Sequence, residues 1–301
     1  MNAFVKFMLT KAGGMYQNWM DKRATEAAFP ENVEEFRDIP YLTDGKRYHL
    51  MDVYRPKKFS GKLPVIVDLH GGGLVLCTKE VNRPFCASLA ERGYLVFCVD
   101  YPVVPEKNVP EILADVCAGM DAVDGLLDEY GGDRERVFLM GDSAGAFLSV
   151  YAVVAQKSEA IAKAAGIKPS GLTVKGLGLI SGMFHTAECD ETGVFLRGDF
   201  YGKDWRRHPL LPYLKPERAE VAGQMPPTFL VTGKADKLRP STMRFHKGLQ
   251  SAGVRCELLD HPADKRLPHD FVIMYPEIEE SRRSLDKMEA FLCPEKTAID
   301  K

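Results

Sequence analysis

The sequence lacks the features that would bind the chain to a membrane or to a nucleic acid. No run approaches the roughly 18 apolar residues that a membrane-spanning helix needs. The 40 Lys and Arg residues are balanced by 42 Asp and Glu residues, and no segment interleaves basic with aromatic residues as a nucleic-acid groove requires. We therefore expect no membrane span and no nucleic-acid partner.

Paired cysteines are also absent. The seven cysteines are an odd number without CxxC spacing, and some lie in apolar surroundings, as Cys98 does between Phe97 and Val99. This pattern predicts buried thiols in a reducing compartment and argues against a disulfide scaffold and a zinc site. We therefore expect a cytoplasmic protein that holds no metal.

The N-terminal segment has no clear targeting signal. Lys6 interrupts its apolar stretch, and the Ala-Gly-Gly at 12–14 precedes polar residues without a convincing cleavage site. We expect residues 1–20 to form an amphipathic helix. With 45% hydrophobic and 27% charged residues, the chain is expected to form one large ordered domain, 1–301.

The remaining pattern predicts an α/β fold. Residues 39–54 alternate apolar and polar side chains around Asp44-Gly45, which indicates an antiparallel hairpin. Short apolar runs then alternate with helical stretches, as in a parallel sheet buried on both faces. The predicted strands are 64–69, 94–100, 136–140, 174–180, 227–232 and 256–259, and the predicted helices are about 79–92, 111–129, 143–157, 240–252 and 280–292. Ligands bind beyond the carboxyl ends of such strands.

One stretch, 182–223, breaks this alternation and is predicted to be a lid or cap inserted after a strand. It has no clear period. Its aromatic residues stand among charges and prolines, and they are Phe184, Phe195, Phe200, Tyr201, Trp205 and Tyr213.

The strongest chemical signal follows strand 136–140, which runs into Gly141-Asp142-Ser143-Ala144-Gly145 and then a helix. This is the nucleophile-elbow arrangement, in which a strained turn lifts the serine hydroxyl out of the sheet. A side chain at either glycine would collide with neighbouring backbone. Without its flanking elements the motif would indicate only a glycine turn with a surface serine.

A second signal follows strand 64–69, which ends in His70-Gly71-Gly72-Gly73. Successive glycines let backbone amides point at a substrate oxygen. We expect the amides of Gly72, Gly73 and Ala144 to form an oxyanion hole, and we expect His70 to shape the loop as a structural residue.

The acid and the base are expected after the serine. Asp236, in the loop after strand 227–232, is the candidate orienter, although it could instead cap the next helix. Of two candidate bases we favour His269 over His261, because His261 leaves little loop to reach the serine. Asp260 and Asp270 are expected to be solvated or capping residues.

With HGGG, GDSAG, Asp236 and His-Asp-Phe in this order, the chain resembles the hormone-sensitive-lipase-like esterases, the bacterial family IV carboxylesterases. The resemblance covers roughly residues 45–182 and 225–293. The segment 100–106 is also similar to that family's Tyr-Arg-Leu-Ala-Pro-Glu, with Pro102 in place of the arginine. Two residues depart from that family's pattern: Leu74 stands where an aromatic residue often follows the glycines, and Ala146 replaces the usual glycine. These departures bear on the substrate and leave the chemistry intact.

The resemblance implies an α/β-hydrolase fold without a cofactor, with a cap built from about 1–38 and 183–223. It implies hydrolysis of esters with short to medium acyl chains, by attack of Ser143 with His269 as base. The partner would then be a small-molecule ester, and a homodimer is left open. A peptidase, a sugar-ester deacetylase and a non-catalytic binding protein stay as alternatives. Side chains expected either to line an acyl pocket or to join cap and core are Met15, Trp19, Met20 and Phe184.

Overall fold

A computed structural model describes residues 18, 22, 28–188 and 193–295, except for the side chains of 193–195. In this part of the chain a single mixed sheet has the strand order β1-β2-β4-β3-β5-β6-β7-β8. The strands are β1 (Val33–Pro40), β2 (Leu50–Pro56), β3 (Leu63–Leu69), β4 (Leu95–Val99), β5 (Gly132–Asp142), β6 (Gly176–Ile180), β7 (Thr228–Gly233) and β8 (Cys256–His261). β2 pairs antiparallel with β1 and β4, and the other neighbours are parallel.

Helices cover both faces of the sheet. They are α1 (Arg83–Glu91), α2 (Val109–Tyr130), α3 (Ala144–Lys157), α4 (Glu159–Ala165), α5 (Gly193–Tyr201), α6 (Ala219–Ala222), α7 (Arg239–Ser251), α8 (Phe271–Met274) and α9 (Glu279–Leu292), with 3-10 turns at Arg47–His49, Lys79–Asn82, Trp205–Arg207 and Leu211–Tyr213. One core packs α2, α3 and α7 on one face, and the other packs α1, α8 and α9 on the opposite face. Strands β3, β4, β6 and β7 are buried throughout because both faces are covered.

Local sequence explains where the longest helix begins and ends. The Asn108 side chain accepts a hydrogen bond from the amide of Glu111, and the Glu111 side chain accepts one from the amide of Asn108. Pro110 lies in the first turn, and Gly131 ends α2 in the left-handed conformation. The cap residues Asn108 and Gly131 lie just outside the predicted helix 111–129, and the observed helix, Val109–Tyr130, is longer by a few residues.

The predicted α/β fold is confirmed, and the predicted strands and helices lie within a few residues of those observed. Helix α4 was not predicted, although Ser158 caps its start and Gly166 ends it. The predicted cap segment 1–38 is too long, because residues 33–38 belong to β1 and pair with β2. The expected helix at 1–20, with Met15, Trp19 and Met20, lies outside the described residues.

No helix in the described part of the chain has both the length and the apolar character needed to cross a bilayer.

Candidate active site

Ser143 lies in a sharp turn between β5 and α3. Its backbone has φ 48° and ψ −111°, and the residue is 5% exposed. A Cβ on Gly141 would lie 2.5 Å from the carbonyl carbon of Gly145, and a Cβ on Gly145 would overlap the carbonyl oxygen of Leu69. The sequence therefore needs glycine on both sides of this strained serine.

The glycine loop after β3 lies directly against this turn. A Cβ on Gly71 would stand 3.1 Å from the Cβ of Ser143. Gly72 and Gly73 have φ values of 116° and 63°, in the region that favours glycine, and a Cβ on Gly72 would overlap the carbonyl oxygen of Leu76. The loop therefore approaches the serine through backbone and not through side chains.

His70 is held in place by its surroundings. Its Nδ1 lies 2.7 Å from the carbonyl oxygen of Gly71, and its Nε2 lies 3.0 Å from Oδ1 of Asp100. The ring stacks on Tyr101 with centroids 4.1 Å apart, and the residue is completely buried. Both ring nitrogens are thus engaged, so His70 can fix the loop but has no nitrogen left for Ser143.

The structure brings Ser143, His269 and Asp236 into one hydrogen-bonded series. Nε2 of His269 lies 3.0 Å from Oγ of Ser143, and its Nδ1 lies 2.9 Å from Oδ1 of Asp236. Asp236 is 5% exposed, and the same Oδ1 accepts the amide of Leu238 at 2.8 Å. Asp236 thus binds the chain just before α7, but the capping position of that helix is Leu238.

The other candidate base, His261, has a different partner. It stands at the end of β8, where its Nε2 lies 2.9 Å from Oγ of Ser284 on α9. Its ring meets Phe271 edge-on, and the residue is 4% exposed. The described hydrogen bond of His261 therefore ties α9 to the sheet.

The charges of the site act on each other. Burial alone would raise the pKa of Asp236, but the hydrogen bond and charge of His269 lower it below its ordinary value. Burial alone would lower the pKa of His269, but the carboxylates of Asp270 and Asp236 raise it to about 10. In this arrangement His269 favours its protonated form.

Asp270 is the residue that sequence reasoning missed. The predicted solvated role is wrong, because the side chain is mostly buried. Asp270 does stand at the N-cap position of α8, but its side chain makes no capping hydrogen bond, and its Oδ2 lies 2.9 Å from Nε2 of His269. Only its position next to His269 could have signalled this role. Asp260 differs, since it is part-exposed and forms a two-pronged ion pair with Arg239.

One group of described side chains has the spacing of a metal site: Asp68, Cys86 and Cys98, whose ligand atoms lie within 4.8 Å of one another. Both thiols donate to Oδ2 of Asp68, at 3.5 and 3.6 Å, and Asn82 donates to the same oxygen at 2.8 Å. Burial raises the pKa of the Cys86 thiol well above its ordinary value, which disfavours the thiolate that a metal needs. The contacts are those of a hydrogen-bonded cluster in the core.

Comparison with known proteins identifies the family. Residues 66–273 match the family model described as the alpha/beta hydrolase fold. Carboxylesterase NlhH of Mycobacterium tuberculosis is 31% identical over 266 residues, which cover 84% of this chain and 80% of that protein. A probable isoprenylcysteine alpha-carbonyl methylesterase of Arabidopsis thaliana is 26% identical over 69% of this chain, which spans only 46% of that relative's length.

A solved structure shows the same fold. Esterase B from Lactobacillus rhamnosis superposes with a TM-score of 0.88 at 22% identity, covering 98% of this chain and 97% of the other. The family match lies over the strands and loops that carry Ser143 and His269. The chain therefore belongs to the α/β-hydrolase fold family, and within it to the hormone-sensitive-lipase-like, carboxylesterase type.

Proposed function

We propose that the chain is a serine esterase that hydrolyses carboxylic esters of short to medium acyl chains through an acyl-enzyme. The observation that carries the proposal is the series of two hydrogen bonds, 3.0 Å from Ser143 Oγ to His269 Nε2 and 2.9 Å from His269 Nδ1 to Asp236 Oδ1. A buried carboxylate that holds an imidazole against a hydroxyl is the arrangement that activates serine. The relationship to a carboxylesterase supports the choice of an ester.

The proposed reaction has two steps. The neutral form of His269 takes the proton of Ser143 as Oγ attacks the ester carbonyl, and the imidazolium returns this proton to the departing alcohol. Water then gives a proton to His269 and attacks the acyl carbon, and the imidazolium returns this proton to Oγ of Ser143 as the acid is released. Asp236 fixes the ring orientation and stabilises the imidazolium.

The glycine loop has its own role in this proposal. The amides of Gly72, Gly73 and Ala144 would stabilise the negative charge that develops on the carbonyl oxygen, and each such donor is worth about 3 kcal/mol. The position of the loop against Ser143 supports this role, since a Cβ placed on Gly71 would stand 3.1 Å from the Cβ of the serine. No step of the mechanism needs a metal or an organic cofactor.

We further propose that the segment 183–223 forms a cap over the acyl site within one domain. The segment starts beside the serine, because the amide of Met183 donates to the carbonyl of Ser143 at 2.9 Å. It also packs on α3, where the Tyr151 hydroxyl donates to the carbonyl of Tyr213 at 2.6 Å. Phe184 is completely buried against Phe245, which favours a role in joining cap to core over one in lining an acyl pocket.

The compartment is also part of the proposal. Five of the six described cysteines are buried and none of the six forms a disulfide, which suits a reducing cytoplasm.

Hydrolysis of a p-nitrophenyl ester series, from acetate to decanoate, tests the function. We expect the wild type to prefer the shorter esters, and we expect Ser143→Ala to fold normally and lose roughly 10⁴-fold or more in kcat/KM. Ser158→Ala is the matched control, because this serine caps α4 at the other end of α3 and should leave activity unchanged.

The same assay separates the alternatives. Acetylated sugars and p-nitroanilides, run beside the esters, would reveal a deacetylase or a peptidase using the same serine. A wild type that turns over none of these substrates, or a Ser143→Ala variant that is as active as the wild type, would refute the proposed mechanism.

A further inference from the structure

His269 has one more partner than the proposed mechanism uses. Its Nε2 lies 3.0 Å from Oγ of Ser143 and also 2.9 Å from Oδ2 of Asp270, while Nδ1 is occupied by Asp236. A carboxylate accepts hydrogen bonds but cannot donate them. An ionised Asp270 at this distance therefore requires a proton on Nε2, just as Asp236 requires one on Nδ1.

The two contacts together describe an imidazolium held between two carboxylates. In that form the ring cannot take the proton of Ser143, because Nε2 has no lone pair to offer. The neutral base forms only when the proton leaves Nε2 and the contact with Asp270 is given up. We propose that Asp270 is a positioning residue that binds the protonated His269 at Nε2 and thereby sets the pH below which the esterase stops working. This inference rests on the proposed function.

The backbone holds Asp270 in this position. Its φ is 57°, in the left-handed region, where aspartate is among the few tolerated residues other than glycine. The amide of Asp270 donates to Oγ of Ser181 at 3.2 Å, which ties the residue to the end of β6. Oδ1 of Asp270 is buried and has no hydrogen-bond partner among the described residues, so the carboxylate is bound through its other oxygen.

One further carboxyl, that of Asp142, acts on the pair of His269 and Asp270. The carboxyls that act on His269 are Asp236, Asp270 and Asp142, and Asp142 lies one residue before the serine. Burial raises the pKa of Asp142 well above its ordinary value, and the charge of Asp270 raises it further. The amide of Asn82 donates to Oδ1 of Asp142 at 2.8 Å and lowers this pKa, but burial outweighs the hydrogen bond. Burial therefore opposes a charge on Asp142, and the carboxylates that contact the ring of His269 are Asp236 and Asp270.

Burial raises the pKa of Asp270 as well, but His269 acts on it in the opposite direction through both charge and hydrogen bond. We assign the proton to His269, because a protonated ring donates to Asp236 through Nδ1 and to Asp270 through Nε2, whereas a neutral ring can donate to only one of these carboxylates. The alternative, a neutral Asp270, predicts no effect of removing its charge, and this difference makes the inference testable.

The test is the pH profile of kcat/KM for a p-nitrophenyl ester, measured on the wild type, Asp270→Asn and Asp270→Gly. Both replacements suit a left-handed backbone, so the loop should keep its shape. Without the carboxylate the neutral base persists to lower pH. We expect the acidic limb to move down by at least about one pH unit, with about tenfold higher kcat/KM on that limb. Asp264→Asn is the control, because Asp264 lies in the same loop but pairs with the exposed Arg266. This variant should leave the acidic limb of the pH profile at the same pH as in the wild type.

A second measurement does not depend on turnover. Histidine-labelled protein gives seven imidazole signals, and the signal of His269 is the one lost in His269→Ala. We expect this signal to titrate well above the ordinary histidine range in the wild type and to move down in Asp270→Asn.

Each failure points to a different conclusion. Suppose that both Asp270 variants fold, as judged by circular dichroism. If neither the acidic limb of the kcat/KM profile nor the pKa of His269 then changes, the inference is wrong and the proposed function is unaffected. If only one of the two variants folds, the same comparison with the wild type is made on that variant alone. If Ser143→Ala keeps full activity, the proposed function fails, and the titration still decides whether Asp270 binds the protonated ring.

Discussion

Two histidines stand beside the serine turn, and their surroundings divide their roles. His70 and His269 each have an aspartate at hydrogen-bond distance, Asp100 at 3.0 Å and Asp236 at 2.9 Å. The second nitrogen of His70 meets a backbone carbonyl, whereas that of His269 meets a hydroxyl and a second carboxylate. The His70 side chain is fully buried and that of His269 is 28% exposed. A histidine beside an aspartate thus fixes a loop in one place and lies against the Ser143 hydroxyl in the other, where the proposed mechanism gives it the role of base.

The largest expected effect separates His269 from the other site histidines. Replacement by alanine removes the proposed base, so we expect His269→Ala to lose roughly 10⁴-fold or more in kcat/KM while the fold is kept. His261→Ala is the control, because its hydrogen bond goes to Ser284, and it should keep activity within about tenfold. The measurement is steady-state ester hydrolysis with circular dichroism. Activity lost in His261→Ala and kept in His269→Ala would reverse the assignment.

The next prediction concerns the stability of the turn around Ser143, which lies next to both histidines. A Cβ on Gly145 would overlap the carbonyl oxygen of Leu69, and rigid strands leave no room for it to move. We expect Gly145→Ala to lower the free energy of unfolding by about 3 kcal/mol or more.

Gly125→Ala is the matched comparison for Gly145→Ala. Gly125 lies in α2 with nothing within 4 Å of a Cβ placed there, so this change should raise stability by up to about 1 kcal/mol. Urea unfolding measures both variants, and equal stabilities would show that the contact at Gly145 is not restrictive.

A loss of stability similar to that of Gly145→Ala, with a smaller loss of activity than that of His269→Ala, is expected at His70. Its replacement by alanine removes two buried hydrogen bonds and the stack on Tyr101, which should cost about 2–4 kcal/mol in the free energy of unfolding. We expect the folded variant to lose far less activity than His269→Ala. If the well-folded His70→Ala variant were as inactive as His269→Ala, the contrast between a fixing and a reacting histidine would fail.

The elements around the site could be read from short stretches of sequence. The apolar run 64–69 and the glycines after it predicted β3 and its loop, and the two glycines around Ser143 predicted a turn too tight for side chains. Such signals are local, because strand burial and backbone crowding act over a few residues. Helix α4 was missed although its caps are visible, because a helix of 7 residues is too short to show a clear hydrophobic period.

The positions that sequence could not fix depend on residues far apart in the chain. Nothing near residue 33 shows that it pairs with residue 56, so a cap was expected where β1 lies. Similarly, the role of Asp270 depends on where the ring of His269 points, and this is set by Ser143 and Asp236, 126 and 33 residues away from His269.

The sequence by itself therefore determined the type of fold, the strained serine, the glycine loop and the order in which the candidate acid and base follow them. Only the tertiary structure decided which histidine reaches the serine and that a neighbouring aspartate shares its nitrogen. The reason is physical: hydrophobic period and backbone sterics are properties of local sequence, whereas a hydrogen bond or a pKa shift needs two groups within a few ångströms, which only the packed chain brings about.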